Sequence, residues 1–196
     1  MSLLIILIFL ILSICVTLGY GSLFSRLYKI PNQTYLTGIF GIIFLTFISI
    51  FTSFFSPHNF LHNLFIFTLG IIFFIFYQIK KKNFLNFRFI FAILFLTFIN
   101  LLIFKNHDDF PYYHFPYINY LNEFGLNLGI GQFNHGFRTP SSIFYFNSLF
   151  YLPFIKNYGF NIGVFLYSLF SNYYFLKKIY FDIQEKKIDN ITYYNL

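Results

Sequence analysis

Most of the groups in this chain that could act on a substrate sit in one stretch. Residues 105–140 read KNHDDFPYYHFPYINYLNEFGLNLGIGQFNHGFRTP. They hold Asp108, Asp109 and Glu123, which are half of the six acids, together with His107, His114, His135 and Arg138. The first 107 residues contain no Asp or Glu at all. Asp109 reads as a candidate general base, since a carboxylate held near a reacting hydroxyl can take its proton. Asp108 is the next choice. The bland role for both is a polar pair at the end of a helix, facing water. His114 can orient a phosphate, hold a metal, or stack among the neighbouring tyrosines. Arg138 can pair with the phosphate of a lipid-linked substrate or simply meet lipid headgroups. Tyr113 and Tyr117 are interface anchors or sugar-stacking platforms. His114, Arg138, Tyr113 and His135 make up the candidate substrate-binding set. No cofactor is expected. Asp-x4-His is not a recognised metal-ligand spacing, and nothing resembles HExxH or a cysteine cluster. The glycines at 125, 129, 131 and 136 loosen the stretch without forming a phosphate-binding GxGxxG. Elsewhere, His58 and His62 lie four apart and would share a helix face, with a structural or water-facing role.

The elements that must position these groups follow from composition. Of 196 residues, 58% are hydrophobic and 10% charged, against about 25% charged in a soluble domain. The net charge of +7 fits basic residues flanking membrane spans better than a nucleic-acid surface, and no nucleic-acid partner is expected. The single cysteine, Cys15, lies in an apolar run and reads as a small buried hydrophobe. The apolar runs are continuous rather than alternating, so they are helices and not barrel strands. The expectation is an all-α polytopic membrane bundle with membrane lipid as its surroundings.

A span needs about 20 mostly apolar residues. Five candidates are read: about 3–20, 35–55, 61–79, 87–104 and 159–176. The first lacks a basic N-region and reads as a retained span rather than a signal peptide. The chain then divides into a four-helix transmembrane region (1–104), an outer loop with interfacial helices (105–158), and a fifth span with a cytoplasmic tail (159–196). Gly38, Gly41 and Gly70 lie within spans but form no GxxxG pair, so no dimer seam is read. Placing 21–34, 80–88 and the tail inside puts ten Lys or Arg inside and three outside. That fixes the N-terminus outside and the C-terminus in the cytoplasm. It also requires that 141–155 not cross, which makes it an interfacial or re-entrant helix. Within the outer loop, Pro111 is expected to stop the fourth span and Pro116 to open a short helix that ends at Gly125. Ser141 is expected to cap the next helix.

The loop also carries a family pattern. Asp109, Tyr113, His114 and Pro116, then Glu123 and Gly125, then Gly129, then Ser141, Ser142 and Phe144 follow D-x-x-x-Y-H-x-P, N/E-x-G, a glycine turn and S-S-x-F. In this the chain resembles a family of uncharacterised bacterial multi-pass membrane proteins. That family is similar in layout to the type-C integral-membrane glycosyltransferases. The resemblance covers about 105–155 and implies a transferase that moves a sugar from a polyprenyl-phosphate donor to a cell-envelope acceptor. It implies a bacterial cytoplasmic-membrane location, Asp109 as base, and His114 and Arg138 near the donor phosphate. The offset of His135 and Arg138 from the serine pair departs from the pattern. Family members also run on for several more spans, which implies a fragment or a reduced relative. The alternative is a non-catalytic membrane subunit that binds lipid-linked saccharide or a partner.

Overall fold

The computed structural model describes residues 3–31, 33–80, 93–94, 97 and 109–184. The architecture is all-α. Three long helices come first: α1 (Leu3–Leu27), α2 (Thr34–Ser53) and α3 (Phe60–Lys80). By length and composition these three can each cross a membrane. α1 runs further than its apolar core suggests. Ser13, Thr17 and Ser22 keep their hydroxyls bonded to α1's own carbonyls at 2.7–2.8 Å, so polar residues cost the helix little. It ends with Arg26 in its last turn, where a cation meets the negative end of the helix dipole. Lys29 adopts φ 55° and Ile30 N–H donates back to the Ser25 carbonyl at 2.9 Å, the usual left-handed way of closing a helix.

α1 lies between α2 and α3. In lipid there is no hydrophobic drive to bring helices together, so packing depends on close backbone approach. Small residues provide it. A methyl group at Gly19 would run into the Gly70 carbonyl of α3, and one at Gly41 would run into the Thr17 carbonyl. Gly21 likewise abuts the Thr37 carbonyl. The glycines therefore do form seams, but within the chain and between non-consecutive turns. Tyr20 hydroxyl donates across the α1–α3 seam to the Ile66 carbonyl at 3.0 Å. The opposite faces of α2 and α3 expose Phe47, Phe51, Leu61 and Phe65, as faces turned to lipid should.

Seven shorter or later elements follow among the described residues. A π turn (Phe110–His114) leads directly into α4 (Phe115–Glu123), two single 3-10 turns (Ile130–Gln132 and His135–Phe137) follow, and α5 is Ser142–Leu149. A 3-10 segment (Lys156–Asn161) enters α6 (Ile162–Gln184). The end of the fourth span, which Pro111 is expected to stop, lies outside the described residues; at Pro111 itself the path is a π turn rather than a regular α-helix. Pro111 sits in the first turn of the π segment, and Phe115 N–H reaches back five residues to the Phe110 carbonyl. A proline lacks a backbone amide, and at the first turn of a helical segment that amide would have no intrahelical partner. α4 then ends where glycine permits, with Gly125 at φ 74°. Ser141 occupies the N-cap position of α5 but makes no side-chain cap bond, a correction to the expected cap.

α5 has eight residues, about 12 Å at the helical rise, and is too short to cross a bilayer core of about 30 Å. α6 buries a stripe of Ile162, Phe165, Leu166, Leu169, Phe170 and Tyr173, the period of one helix face. Phe170 lies over Gly38 of α2. α6 continues to Gln184 with Lys178 and Asp182 paired at 3.5 Å, and it is not among the three helices apolar enough to span. The expected fourth span, apart from Ile93, Leu94 and Thr97, lies outside the described residues, as do the basic run after Lys80 and the end of the tail.

Candidate functional site

The segments after Asp109 form a second, smaller core beside the bundle. Tyr117, Ile118 and Leu121 of α4 pack on Phe144 and Tyr145 of α5 and on Phe160. Their spacing on α4 places them on one face, and the aromatic rings meet edge to face, such as Tyr117 on Phe137 at 5.0 Å.

Asp109 stands at the N-cap of the π turn and is half-buried. One helical turn later Tyr113 directs its hydroxyl at Asp109 Oδ2 from 3.5 Å, longer than a normal hydroxyl hydrogen bond. Gly136 lies against the Tyr113 ring, closely enough that a Cβ there would displace it. The Tyr113 side chain therefore links the Asp109 turn to the segment carrying His135 and Arg138. His114 is held among rings, 4.4 Å from Tyr113 and 4.8 Å from Phe144 between centroids. Of the three roles read for it, stacking is the one the geometry displays. Asp108 and His107 lie outside the described residues.

Arg138 is exposed, and its Nε donates to the Gly131 carbonyl at 3.2 Å. It stands on the wall of a cleft of about 490 Å³ whose other walls include Tyr117, Tyr145, Phe137, Leu126 and Gly129. The Tyr117 and Tyr145 hydroxyls share a 2.6 Å hydrogen bond in that wall. Burial, and then this bond, hold the Tyr117 hydroxyl well above the usual tyrosine pKa range, so it acts as a neutral hydrogen-bonding group. Asp109 and His114 are not among the residues lining the cleft. The structure thus brings Arg138, Tyr117 and Tyr145 together and holds Asp109, Tyr113 and His114 beside them as a neighbouring group. His135 is exposed on the turn between. Among the described residues, no group of three or more His, Cys, Asp or Glu is placed to hold a metal ion.

A polar node beneath this platform went unread in the sequence. His58, in the link between α2 and α3, is fully buried. Its ring stacks on His62 at 4.8 Å. Ser148 commits its hydroxyl proton to the Tyr145 carbonyl at 2.7 Å. His58 Nδ1 lies 2.6 Å from Ser148 Oγ and Nε2 lies 3.1 Å from Thr52 Oγ1, so both ring nitrogens are engaged. Burial, and secondarily the His62 neighbour, push the His58 pKa down to about 3, keeping the ring neutral. Asn63, also fully buried, directs its amide at the carbonyls of His58 and Ser148 (each 2.8 Å) and Tyr151 (3.1 Å). His58 N–H donates to the Leu121 carbonyl at 2.9 Å, and Leu126 N–H to the Ser53 carbonyl at 2.7 Å. Ser49 hydroxyl donates to the Tyr145 carbonyl. The signal that could have revealed the node is an Asn and two His at one helix entry, facing a Ser-rich short helix that cannot cross.

No curated protein and no solved structure is significantly similar to the chain. Residues 1–195 match a family profile over nearly the whole sequence, and the chain belongs to that family, described as a domain of unknown function (DUF8201).

Proposed function

We propose that this chain is a membrane protein of the glycosyltransferase type. It takes a sugar from a lipid-phosphate donor and passes it to a cell-envelope acceptor at the outer face of a bacterial cytoplasmic membrane. In this reading the chain crosses five times, with α6 as the last span, the N-terminus outside and the C-terminus in the cytoplasm. Asp109 is the general base and removes a proton from the acceptor hydroxyl, with Asp108 next to it. Arg138 meets the donor phosphate as a fixed, permanently charged fork. Tyr113, His114 and His135 shape the sugar end of the site. No cofactor is required by this chemistry.

The observation that carries the reading is the Tyr113 bridge. Its hydroxyl faces the Asp109 carboxylate and its ring bears the turn that leads to Arg138, so a candidate base and a candidate phosphate ligand belong to one packed unit beside an open cleft. A second reading is favoured by one fact: Asp109 does not line that cleft. In it the protein binds a lipid-linked saccharide there without transferring it, as a subunit for a partner.

The test is incorporation of labelled sugar from a polyprenyl-phosphate donor into envelope glycan, in cells making the full chain or its variants at equal level. Asp109→Asn is expected to lower transfer about a hundredfold or more, the range for loss of a general base. Transfer at the unaltered rate in that variant refutes the catalytic role. Binding of the donor without transfer by either protein supports the non-catalytic reading.

A further inference from the structure

We infer that residues 124–133 form a wedge that dips into the lipid leaflet at the end of the bundle where α2 finishes. The stretch reads FGLNLGIGQF and carries no charge. It also shows its apolar side chains outward: Leu128 is 87% exposed, Phe133 88% and Phe124 63%. Residues this apolar and this open, clustered within ten positions, are expected to meet a partner rather than water. Glycines set the shape. Gly125 and Gly129 take φ of 74° and 87°, and nothing lies within 4 Å of where a Gly129 Cβ would stand, so the turn at its tip is open.

What covers this surface is given by its continuity with the bundle. Gly125 rests on the Ser53 carbonyl, and Leu126 N–H bonds to that same oxygen. Ser53 ends α2. The residues just before and after it, Phe51, Phe54 and Phe55, are exposed, as are Leu61 and Phe65 where α3 begins. The loop is thus anchored at the end of α2, next to exposed apolar residues of two span-length helices. Charged residues return only at its margins, with Glu123 before and His135 and Arg138 after. This is the arrangement of an interfacial element whose apolar side sits about 5–10 Å into the headgroup and acyl boundary. Leu126, Leu128, Gly129 and Ile130 also line the cleft beside Arg138, so a buried wedge makes that cleft reachable from the bilayer. The inference holds whatever the cleft accepts.

The chain contains no tryptophan, which makes a direct test simple. Leu128→Trp and Phe133→Trp each place a single indole at an open position, and Phe65→Trp on α3 supplies the reference. Each full-length variant is placed in phosphatidylcholine nanodiscs, with or without lipid brominated in the upper acyl chain. The expected result for both loop positions is blue-shifted emission that brominated lipid quenches more strongly than aqueous iodide does. Red emission with iodide the stronger quencher overturns the inference. So does blue emission that brominated lipid leaves unchanged, the outcome if a second copy of the chain covers the loop.

Discussion

The three long helices and the platform at their end are held together by opposite means. α1, α2 and α3 come closest where side chains are absent: Gly19 against the Gly70 carbonyl, Gly41 against that of Thr17. The platform touches through side chains, with rings from Tyr117, Phe137, Phe144 and Tyr145 over a buried node of His58, Asn63 and Ser148. The first kind of contact is intolerant of any added atom. The second is directional and is sensitive to loss of a group or a change of its charge. The long helices rely mainly on close packing, with a cross-helix bond from Tyr20 to the Ile66 carbonyl; the platform at their end uses a network of hydrogen bonds to fix one orientation of short helices that could not stand alone.

The contrast can be broken at each side. The largest effect is expected from Gly41→Val, which drives a branched side chain into the Thr17 carbonyl. We expect a loss of about 3 kcal/mol or more, read as thermal unfolding of the whole protein in detergent, with both regions failing together. Asn63→Leu comes next. It fills the space but strips the amide from the carbonyls of His58, Ser148 and Tyr151, at about 3 kcal/mol. Limited proteolysis should then cut within 109–155 while α1 to α3 stay intact. Equal release of both regions would show that the two are not separately held.

The smallest effect, when read at pH 5.5, and the one that sharpens the contrast most, is acid. The His58 pKa falls from 6.5 to about 3 in the folded chain. Below 6.5 the unfolded chain takes up a proton that the folded chain refuses. Stability is therefore complete above 6.5, declines as pH drops toward 3, and levels off below. At pH 5.5 the loss is about 1.4 kcal/mol. His58→Gln should flatten that decline in an unfolding titration; an unchanged slope would assign it to other groups.

The long helices were legible in the sequence because an apolar run of 20 residues admits few structures, and the observed bounds of α2 and α3 differ from the read ones by one or two residues. α1 was read too short, ending near residue 20, because the polar and basic residues that follow break the apolar run; Ser22 meets the Gly19 carbonyl of its own helix and so does not end it. The glycine seams were invisible for a different reason. Close approach depends on which helix faces which, and Gly19, Gly21, Gly41 and Gly70 match no spacing rule within one helix. In the stretch after Asp109, Gly125 as a stop and Pro116 near the start of α4 were readable from backbone chemistry. That Tyr113 would face Asp109 was latent in their separation of four. The node was only half readable: the spacing of His58 and His62 gives them a structural or water-facing role, but Ser148, the partner of His58, lies 90 residues away in sequence.

That separation has a consequence for how the protein is made. The amide of Asn63 and the imidazole of His58 emerge from the ribosome with α3, well before residues 145–151 are synthesised. Until α5 arrives, the Asn63 amide keeps the His58 carbonyl and His58 Nε2 keeps Thr52, but the bonds to Ser148 and Tyr151 are missing and water must take their place at that end of the three-helix intermediate. Docking of α5 is then the step that dries it, and a nascent chain halted before residue 145 would leave a wet polar socket exposed, a feature that quality-control machinery in the membrane could recognise.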